Sequence, residues 1–461
     1  MKSNVVAIRL KNYKAFQDTG WIEFRPLTIL LGYNSNGKST LLKSLHLIKK
    51  CYEKYQAGIE FPPFSVGDEE DGGFNDFAYK GKTDNVKNIE FSFRIRCSDD
   101  EIVDSLEALI DIDNAKEFFF EYTISARRNL KKNDVYVNLI SFKITDKVLY
   151  ECLYKENGDF DVSSDVFVGE NGKCELPMLF EIKNTFFLAN LPEEKYPQWI
   201  SKQKYSDRIG PEQRFILQFL QGEFIGMVNQ ALIDFAIRFD YIMPMRTLPK
   251  RYMNLIATSN RDVGITGNNT YNILYQIEAY GDEDNKNKIQ RWLSLFGYEY
   301  RWKIIKANYG EFILHDIEKG FDVNIVDIGF GISQILPIIV ACVQSKEGIL
   351  AIDSPEAHLH SSVQSEIADM FIDASKEKKL FLETHSENIL LRIQRRIAEK
   401  KFNQDDVALY FIENKQQSVS CKELKISAEG DILDPPDEFK NFFSAAYNDA
   451  LATMLLKGAG K

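Results

Sequence analysis

Cysteine is scarce in this chain and never paired. Cys51, Cys97, Cys152, Cys174, Cys342 and Cys421 are the only six in 461 residues, and no two of them form a CxxC. That pattern excludes a cysteine zinc ribbon and the dense disulfide framework of a small secreted domain, so free thiols in a reducing compartment are expected. The opening segment, Met1 to Leu10, lacks the long apolar run of a signal peptide or membrane span. A cytoplasmic protein with no membrane partner is the expectation. Basic charge is also in deficit: the formal net charge of −11 argues against a surface that coats nucleic acid by bulk electrostatics and leaves only local patches for such contact. No internal repeat, low-complexity tract or sustained heptad pattern occurs, which excludes a long coiled-coil arm.

What is present is the composition of an ordinary globular protein, 44% hydrophobic and 27% charged, at a length that suits two or three lobes. Val5 to Leu10, Trp21 to Phe24 and Leu27 to Leu31 read as short strands, and a helix from Lys38 to about Tyr55 follows the third. Ile89 to Cys97, Phe118 to Ala126 and Asp134 to Ile144 predict a largely antiparallel sheet that continues to about Val168. Apolar residues at helical spacing mark Pro211 to Phe239 as one long helix or two short ones. From about Asp322 strands and helices alternate, with strands at Gly348 to Asp353 and Lys379 to Glu383, an order that implies a parallel sheet. Three segments are therefore expected: residues 1–170 with a phosphate loop and the antiparallel sheet, a compact and mainly helical insertion over 171–320, and residues 321–461.

Gly32-Tyr33-Asn34-Ser35-Asn36-Gly37-Lys38-Ser39 satisfies G-x-x-x-x-G-K-[ST] between a predicted strand and a predicted helix, the context the motif requires. Glycines let the backbone wrap phosphates, and N–H groups at the helix start supply positive dipole. Lys38 reaches the terminal phosphates and Ser39 ligates magnesium. Gly32, Asn34, Ser35, Asn36, Gly37, Lys38, Ser39 and Thr40 are the candidate ATP-binding residues. Gly348 to Asp353 is an apolar strand ending in a carboxylate, as a Walker B strand does, which makes Asp353 the second magnesium-side residue. Ser354 stands where a glutamate usually polarises the attacking water. Glu356, the nearest remaining acid, is then either the catalytic base or a surface residue or helix cap.

Three of the five histidines, His358, His360 and His385, cluster near this strand, but without H-E-x-x-H spacing, and a zinc site there would compete with the ATP machinery. His385 is read either as a γ-phosphate sensor or as a hydrogen-bonded core histidine, with Ser386 as the cap of the following helix. Val326 to Gln334 joins two glycines and a serine to an apolar helix expected from Ile335. Its Gly331 and Ser333 are candidates for contacting a nucleotide held by another subunit.

Taken in order, these segments resemble the ABC-type ATPases that include the SMC, RecF and overcoming-lysogenisation-defect proteins. Leu10 to Phe16 is similar to their opening strand and Asp327 to Gln334 to their signature segment. Asp353 to His360 is similar to the Walker B and D-loop region, and Glu383 to Ser386 to the switch histidine. Tyr241 to Arg246 and Asp431 to Pro436 resemble segments of short-insertion bacterial ATPases found beside phage-defence genes. The resemblance implies an α/β ABC-ATPase head with mixed antiparallel and parallel sheets. ATP and Mg2+ would lie between the phosphate loop of one copy and the signature loop of another, with Lys38, Asp353, Glu356 and His385 catalytic. It further implies a dimerisation switch in anti-phage defence, controlling a separate effector such as a nuclease or toxin and triggered by nucleic acid or a phage protein. The alternatives are a RecF-like repair ATPase that binds duplex DNA, through Arg127, Arg128, Lys131 and Lys132 or through Arg392, Arg395, Arg396, Lys400 and Lys401, and an ATP-binding scaffold with little hydrolysis. Two departures stand out: the signature lacks the Leu-Ser-Gly-Gly order, and no glutamine after the first helix is placed for the Q-loop role, Asp76 and Tyr79 being the nearest stand-ins.

Overall fold

The computed structural model describes residues 3–33, 37–57, 74–79, 88–110, 116–129, 134–144, 146–155, 159–166, 180–182, 186–190, 219–255, 262–306, 308–344, 347–415 and 418–439. In chain order the elements are β1 (Ser3–Tyr13), β2 (Phe16–Asp18), β3 (Ile22–Glu23), β4 (Leu27–Gly32), α1 (Lys38–Gln56), α2 (Phe74–Phe77), β5 (Ile89–Cys97), α3 (Asp100–Ile110), β6 (Phe118–Asn129), β7 (Asp134–Ile144), β8 (Lys147–Tyr154), β9 (Phe160–Ser163), β10 (Phe180–Ile182) and β11 (Leu188–Asn190). After a π-helical turn at Leu220–Phe224 come α4 (Ile225–Arg238), β12 (Phe239–Ile242), β13 (Met253–Asn254), α5 (Thr270–Ala279), α6 (Glu283–Ser294), β14 (Tyr298–Lys306), β15 (Tyr309–Asp316), β16 (Phe321–Asn324), α7 (Phe330–Val343), β17 (Ile349–Asp353), α8 (Ser361–Ala374), β18 (Lys379–Glu383), α9 (Glu387–Ala398), β19 (Val407–Lys415), β20 (Ser418–Ile426) and β21 (Ile432–Leu433). Parallel and antiparallel sheets are thus combined with helices. The longest described helix, α1, has 19 residues, so no long coiled-coil arm exists among the described residues.

The chain forms two compact units, divided differently from three consecutive segments. The first comprises Met1–Glu23, Lys43–Ile237 and Lys415–Ser420. Its strands β1, β5, β6, β7, β8 and β9 pair in that order, all antiparallel, as the alternating apolar pattern predicts. Inward residues of neighbouring strands stack their rings: Tyr122 lies 5.2 Å from Phe142 and 6.0 Å from Phe93 between ring centroids. Phe224, from the π turn, meets Phe120 and Phe142 edge-on at 5.0 and 5.2 Å, a preferred geometry for aromatic quadrupoles.

The second unit comprises Phe24–Leu42, Arg238–Asn414 and Cys421–Lys461. Its sheet runs β12-β17-β18-β4-β19, and every pair is parallel. All six residues of β4 and all five of β17 are buried, the continuous apolar type that a strand covered on both faces must have. That is why β4 sits here and not with the antiparallel sheet that precedes and follows it in sequence. Two antiparallel strands, β14 and β15, with β16 and β13 on β15, make a second small sheet. The stretch expected as a mainly helical insertion therefore carries long strands as well as α4, α5 and α6. Helix α7 is buried along Ile332 to Val343; it is apolar all round because it is a core helix.

Candidate nucleotide site

Parallel strands with adjacent positions present their C-terminal ends along one edge, and in the second unit that edge gathers the polar residues. Leu30, Glu383 and Asp353 lie in one row across β4, β18 and β17. Beyond Leu30 the chain runs through Gly32 into the phosphate loop. Gly32 has φ +150, and a Cβ there would come within 2.8 Å of the Ile412 carbonyl oxygen on β19, so only glycine permits this exit from the sheet. Asn34, Ser35 and Asn36 lie outside the described residues. Helix α1 begins at Lys38 as expected, and the Thr40 N–H donates to the Gly37 carbonyl at 3.0 Å.

Lys38 is only 2% exposed. Its Nζ donates to the carbonyls of Gly32 (2.9 Å) and Tyr33 (2.7 Å) and stands 4.0 Å from Glu383 Oε1. Burial pulls its pKa below the ordinary lysine value, against the attraction of Glu383, Asp353 and Glu356. The Ser39 hydroxyl donates to the same Glu383 oxygen at 3.1 Å. Glu383 is 3% exposed, and its Oε2 is buried with no hydrogen-bond partner among the described residues. Burial first, and Asp353 next, raise its carboxyl to about 8, while Ser39 and Lys38 act in the other direction.

Asp353, buried at the end of β17, accepts a hydrogen bond from the Ser354 hydroxyl at 2.9 Å and one from the Tyr241 phenol at 3.5 Å. Ser354 thus occupies one Asp353 oxygen rather than offering an acid of its own. Glu356, expected as the base or as a surface residue or cap, is bound through both oxygens. Its Oε1 accepts from the His385 backbone N–H at 2.7 Å and its Oε2 from the Thr384 hydroxyl at 2.8 Å. Both oxygens hold the turn after β18, and the acid that faces Lys38 and Ser39 is Glu383. Along the sequence Glu383 stood only in the segment likened to the switch histidine; the pairing of β18 with β4 brings it to the loop.

His385 is half-buried, and its pKa falls to about 4 through burial and then the Lys38 charge. It is neutral at pH 7. Ser386 caps α9 as expected, accepting from the Ile389 N–H at 3.3 Å. The other two histidines have structural partners: His360 caps α8 through Ser362, and His358 packs edge-on against Phe330 at 4.6 Å. No cluster of three metal-ligating side chains occurs among the described residues. Helix α7 starts at Phe330, five residues ahead of expectation, so Gly331, Ser333 and Gln334 are helical. Ser333 is 4% exposed and donates to the Phe330 carbonyl at 2.8 Å; the exposed member of this turn is Phe330. Asp76 and Tyr79 belong to the first unit.

Residues 176–392 match the family described as "AAA domain, putative AbiEii toxin, Type IV TA system", a span of somewhat under half the chain that holds Asp353, Glu356, Glu383 and His385 and omits the phosphate loop. No curated protein matches the chain. Among solved structures, the SMC head domain from Thermotoga maritima is 9% identical, with 92% of this chain and 100% of that chain covered and a TM-score of 0.39. An SMC head domain with an extended coiled coil, bound to the C-terminal domain of ScpA and derived from Pyrococcus furiosus, is 10% identical, with 92% and 96% covered and a TM-score of 0.41. An SmcHead bound to the C-winged helix domain of ScpA is 10% identical, with 92% and 98% covered and a TM-score of 0.44. These likenesses are remote, and the chemistry of the site stands on its own residues.

The second basic cluster proposed for DNA is partly neutralised, two carboxylates standing against its five cations. Arg392 and Arg396 bind Asp369 at 2.7 and 2.6 Å, and Arg395, Arg396 and Lys401 pair with Glu399 at 2.7, 2.6 and 3.0 Å. Of the first cluster, Lys131 and Lys132 lie outside the described residues. No described helix is long and apolar enough to cross a membrane.

Proposed function

We propose that the chain hydrolyses ATP. The observation that carries this reading is the convergence of Lys38, Ser39 and Glu383 beside Asp353 at the C-terminal ends of three adjacent parallel strands. The Lys38 ammonium and the N-terminal N–H groups of α1 bind the terminal phosphates. Ser39 and Asp353 are hard oxygen donors of the kind magnesium prefers, and the orphaned buried oxygen of Glu383 beside them suits a cationic site. Those two residues would hold the ion, which neutralises phosphate charge when bound. Glu383 in its ionised form, a minority at pH 7 because burial raises its carboxyl to about 8, takes the proton of the attacking water as the water oxygen bonds to the γ-phosphorus and the bridging β–γ oxygen departs with ADP.

Hydrolysis in this reading belongs to a switch: two copies close on ATP, the exposed start of α7 in one facing the phosphate loop of the other. The matched family's description as a putative toxin of a toxin–antitoxin system supports a setting in bacterial anti-phage defence, with a separate effector as partner. The test separates the acids. Lys38→Ala should abolish ATP binding by calorimetry at fixed magnesium. Glu383→Gln should keep ATP bound while turnover falls about a hundredfold or more. Glu356→Gln retains an acceptor for the His385 N–H and should turn over within about threefold of wild type. Wild-type turnover in Glu383→Gln would refute the role given to that carboxylate, and unchanged ATP affinity in Lys38→Ala would refute the site.

A further inference from the structure

Arg246 is a buried cation that the proposed hydrolysis does not use. Arg246 follows β12 in the segment Tyr241 to Arg246, is 5% exposed, and has no carboxylate within ion-pair distance among the described residues. Its guanidinium is spent on carbonyl oxygens instead. Nη2 donates to Asp353 O at 2.9 Å and Ser354 O at 3.2 Å, and Nη1 donates to Gln334 O at 3.3 Å. Ser354 has φ +49, so the chain turns directly after Asp353 and one nitrogen donates to both carbonyls.

Gln334, 1% exposed within α7, holds the arginine's own backbone in return. Its Oε1 accepts from the Arg246 N–H at 3.2 Å and its Nε2 donates to the Arg246 carbonyl at 3.3 Å. The segment is mounted on both sides of the arginine, since Met243 N–H donates to Ile265 O and Thr247 N–H to Thr266 O, each at 2.8 Å. Burial lowers the Arg246 pKa to about 10, with Asp353 and Glu356 opposing that fall, so the cation persists at neutral pH. A buried charge without an acid partner is costly unless its hydrogen bonds are met. Here Nη1 and Nη2 meet theirs on the carbonyls of Asp353, Ser354 and Gln334, while the buried Nε has no hydrogen-bond partner among the described residues.

We propose that Arg246 is a positioning residue for hydrolysis: by holding the Asp353, Ser354 and Gln334 carbonyls together it fixes the Asp353 carboxylate beside the phosphate loop and ties that position to the first turns of α7. The proposal rests on the ATPase reading. A planar guanidinium spans these acceptors with two separate nitrogens, whereas an ammonium is a single point charge. A displacement of reacting groups by about 1 Å costs on the order of a hundredfold in rate.

Arg246→Lys should therefore bind ATP within about threefold of wild type by calorimetry while kcat falls about tenfold to a hundredfold and KM changes little. Millimolar ethylguanidinium should restore turnover to Arg246→Ala, and ethylammonium should not. Wild-type kcat in Arg246→Lys would overturn the proposal, as would joint loss of affinity and rate with no rescue. Should circular dichroism show that both arginine variants are unfolded, Gln334→Met decides: a lowered kcat at unchanged ATP affinity supports the clamp, and an unchanged kcat refutes it. Lys38→Ala, measured alongside, fails separately: if it binds ATP normally, the nucleotide site itself is misassigned whatever Arg246 does.

Discussion

Three acids share a small volume near Lys38, and their surroundings divide their work. Glu356 has both oxygens bound by Thr384 and His385, Asp353 is held by Ser354 and Tyr241, and Glu383 keeps one oxygen free. Identical functional groups acquire different roles when burial and partners differ. His385 beside them gives a test by pH. Its folded pKa of about 4 lies below the ordinary 6.5, so between these values the unfolded chain binds a proton that the folded chain does not. Its contribution to stability is complete above about pH 6.5 and declines as pH falls through that window. His385→Gln removes the effect. Urea unfolding without nucleotide should show wild type losing more stability than the variant between pH 7 and pH 5. Parallel losses would mean that His385 is protonated in the folded protein.

Helix α7 begins earlier than its sequence suggests because Gly329 and Gly331 read as a loop, whereas packing against the segment after β17 stabilises a helical start. Phe330 meets the His358 ring, and a Cβ on Gly331 would stand 2.8 Å from the His358 carbonyl oxygen. Replacing a helical glycine by alanine ordinarily stabilises by about 0.4–1 kcal/mol. At Gly331 the steric conflict involves backbone and should reverse that sign. Gly331→Ala is expected to be destabilised by about 1 kcal/mol or more in urea. A stabilised variant would show that the segment around His358 yields freely and does not hold the start of α7. Other elements were legible because their signals are local: α1 starts at Lys38, β18 runs Lys379–Glu383, and Ser386 caps α9, each as its own residues predict.

On the scale of the whole molecule, the proposed pairing of two copies makes turnover depend on protein concentration. Activity per chain should fall on dilution as dimers dissociate, measured from micromolar to nanomolar chain at saturating ATP. Constant turnover down to concentrations where sedimentation shows only monomers would exclude a shared site. A mixing experiment adds geometry. Ser333 is buried and would not tolerate a bulky charge, but Phe330 is half-exposed, so Phe330→Glu carries the lesion of the signature side. Mixed with Lys38→Ala, it should recover activity that neither variant has alone, because one composite site in the mixed dimer is intact. Failure to recover, with both variants folded and dimeric, counts against two copies sharing a site.

The sequence alone determined what depends on neighbours along the chain: the glycine and lysine spacing of the phosphate loop, the strand and helix periods, the helix cap at Ser386 and the acid that ends β17. Those features follow from backbone sterics and from 2.0 and 3.6 residue repeats. Tertiary structure decided which acid meets the loop. Ser39 and Glu383 are 344 positions apart and hydrogen-bonded. They meet because β4, apolar on both faces, lowers its free energy most at the centre of a parallel sheet, between β18 and β19, and not beside its neighbours in sequence. Strand order is set by burying both faces of every strand at once, a condition on the whole unit that no window of residues contains. The same condition put Arg246 against the Asp353 carbonyl and Glu356 against Thr384 and His385.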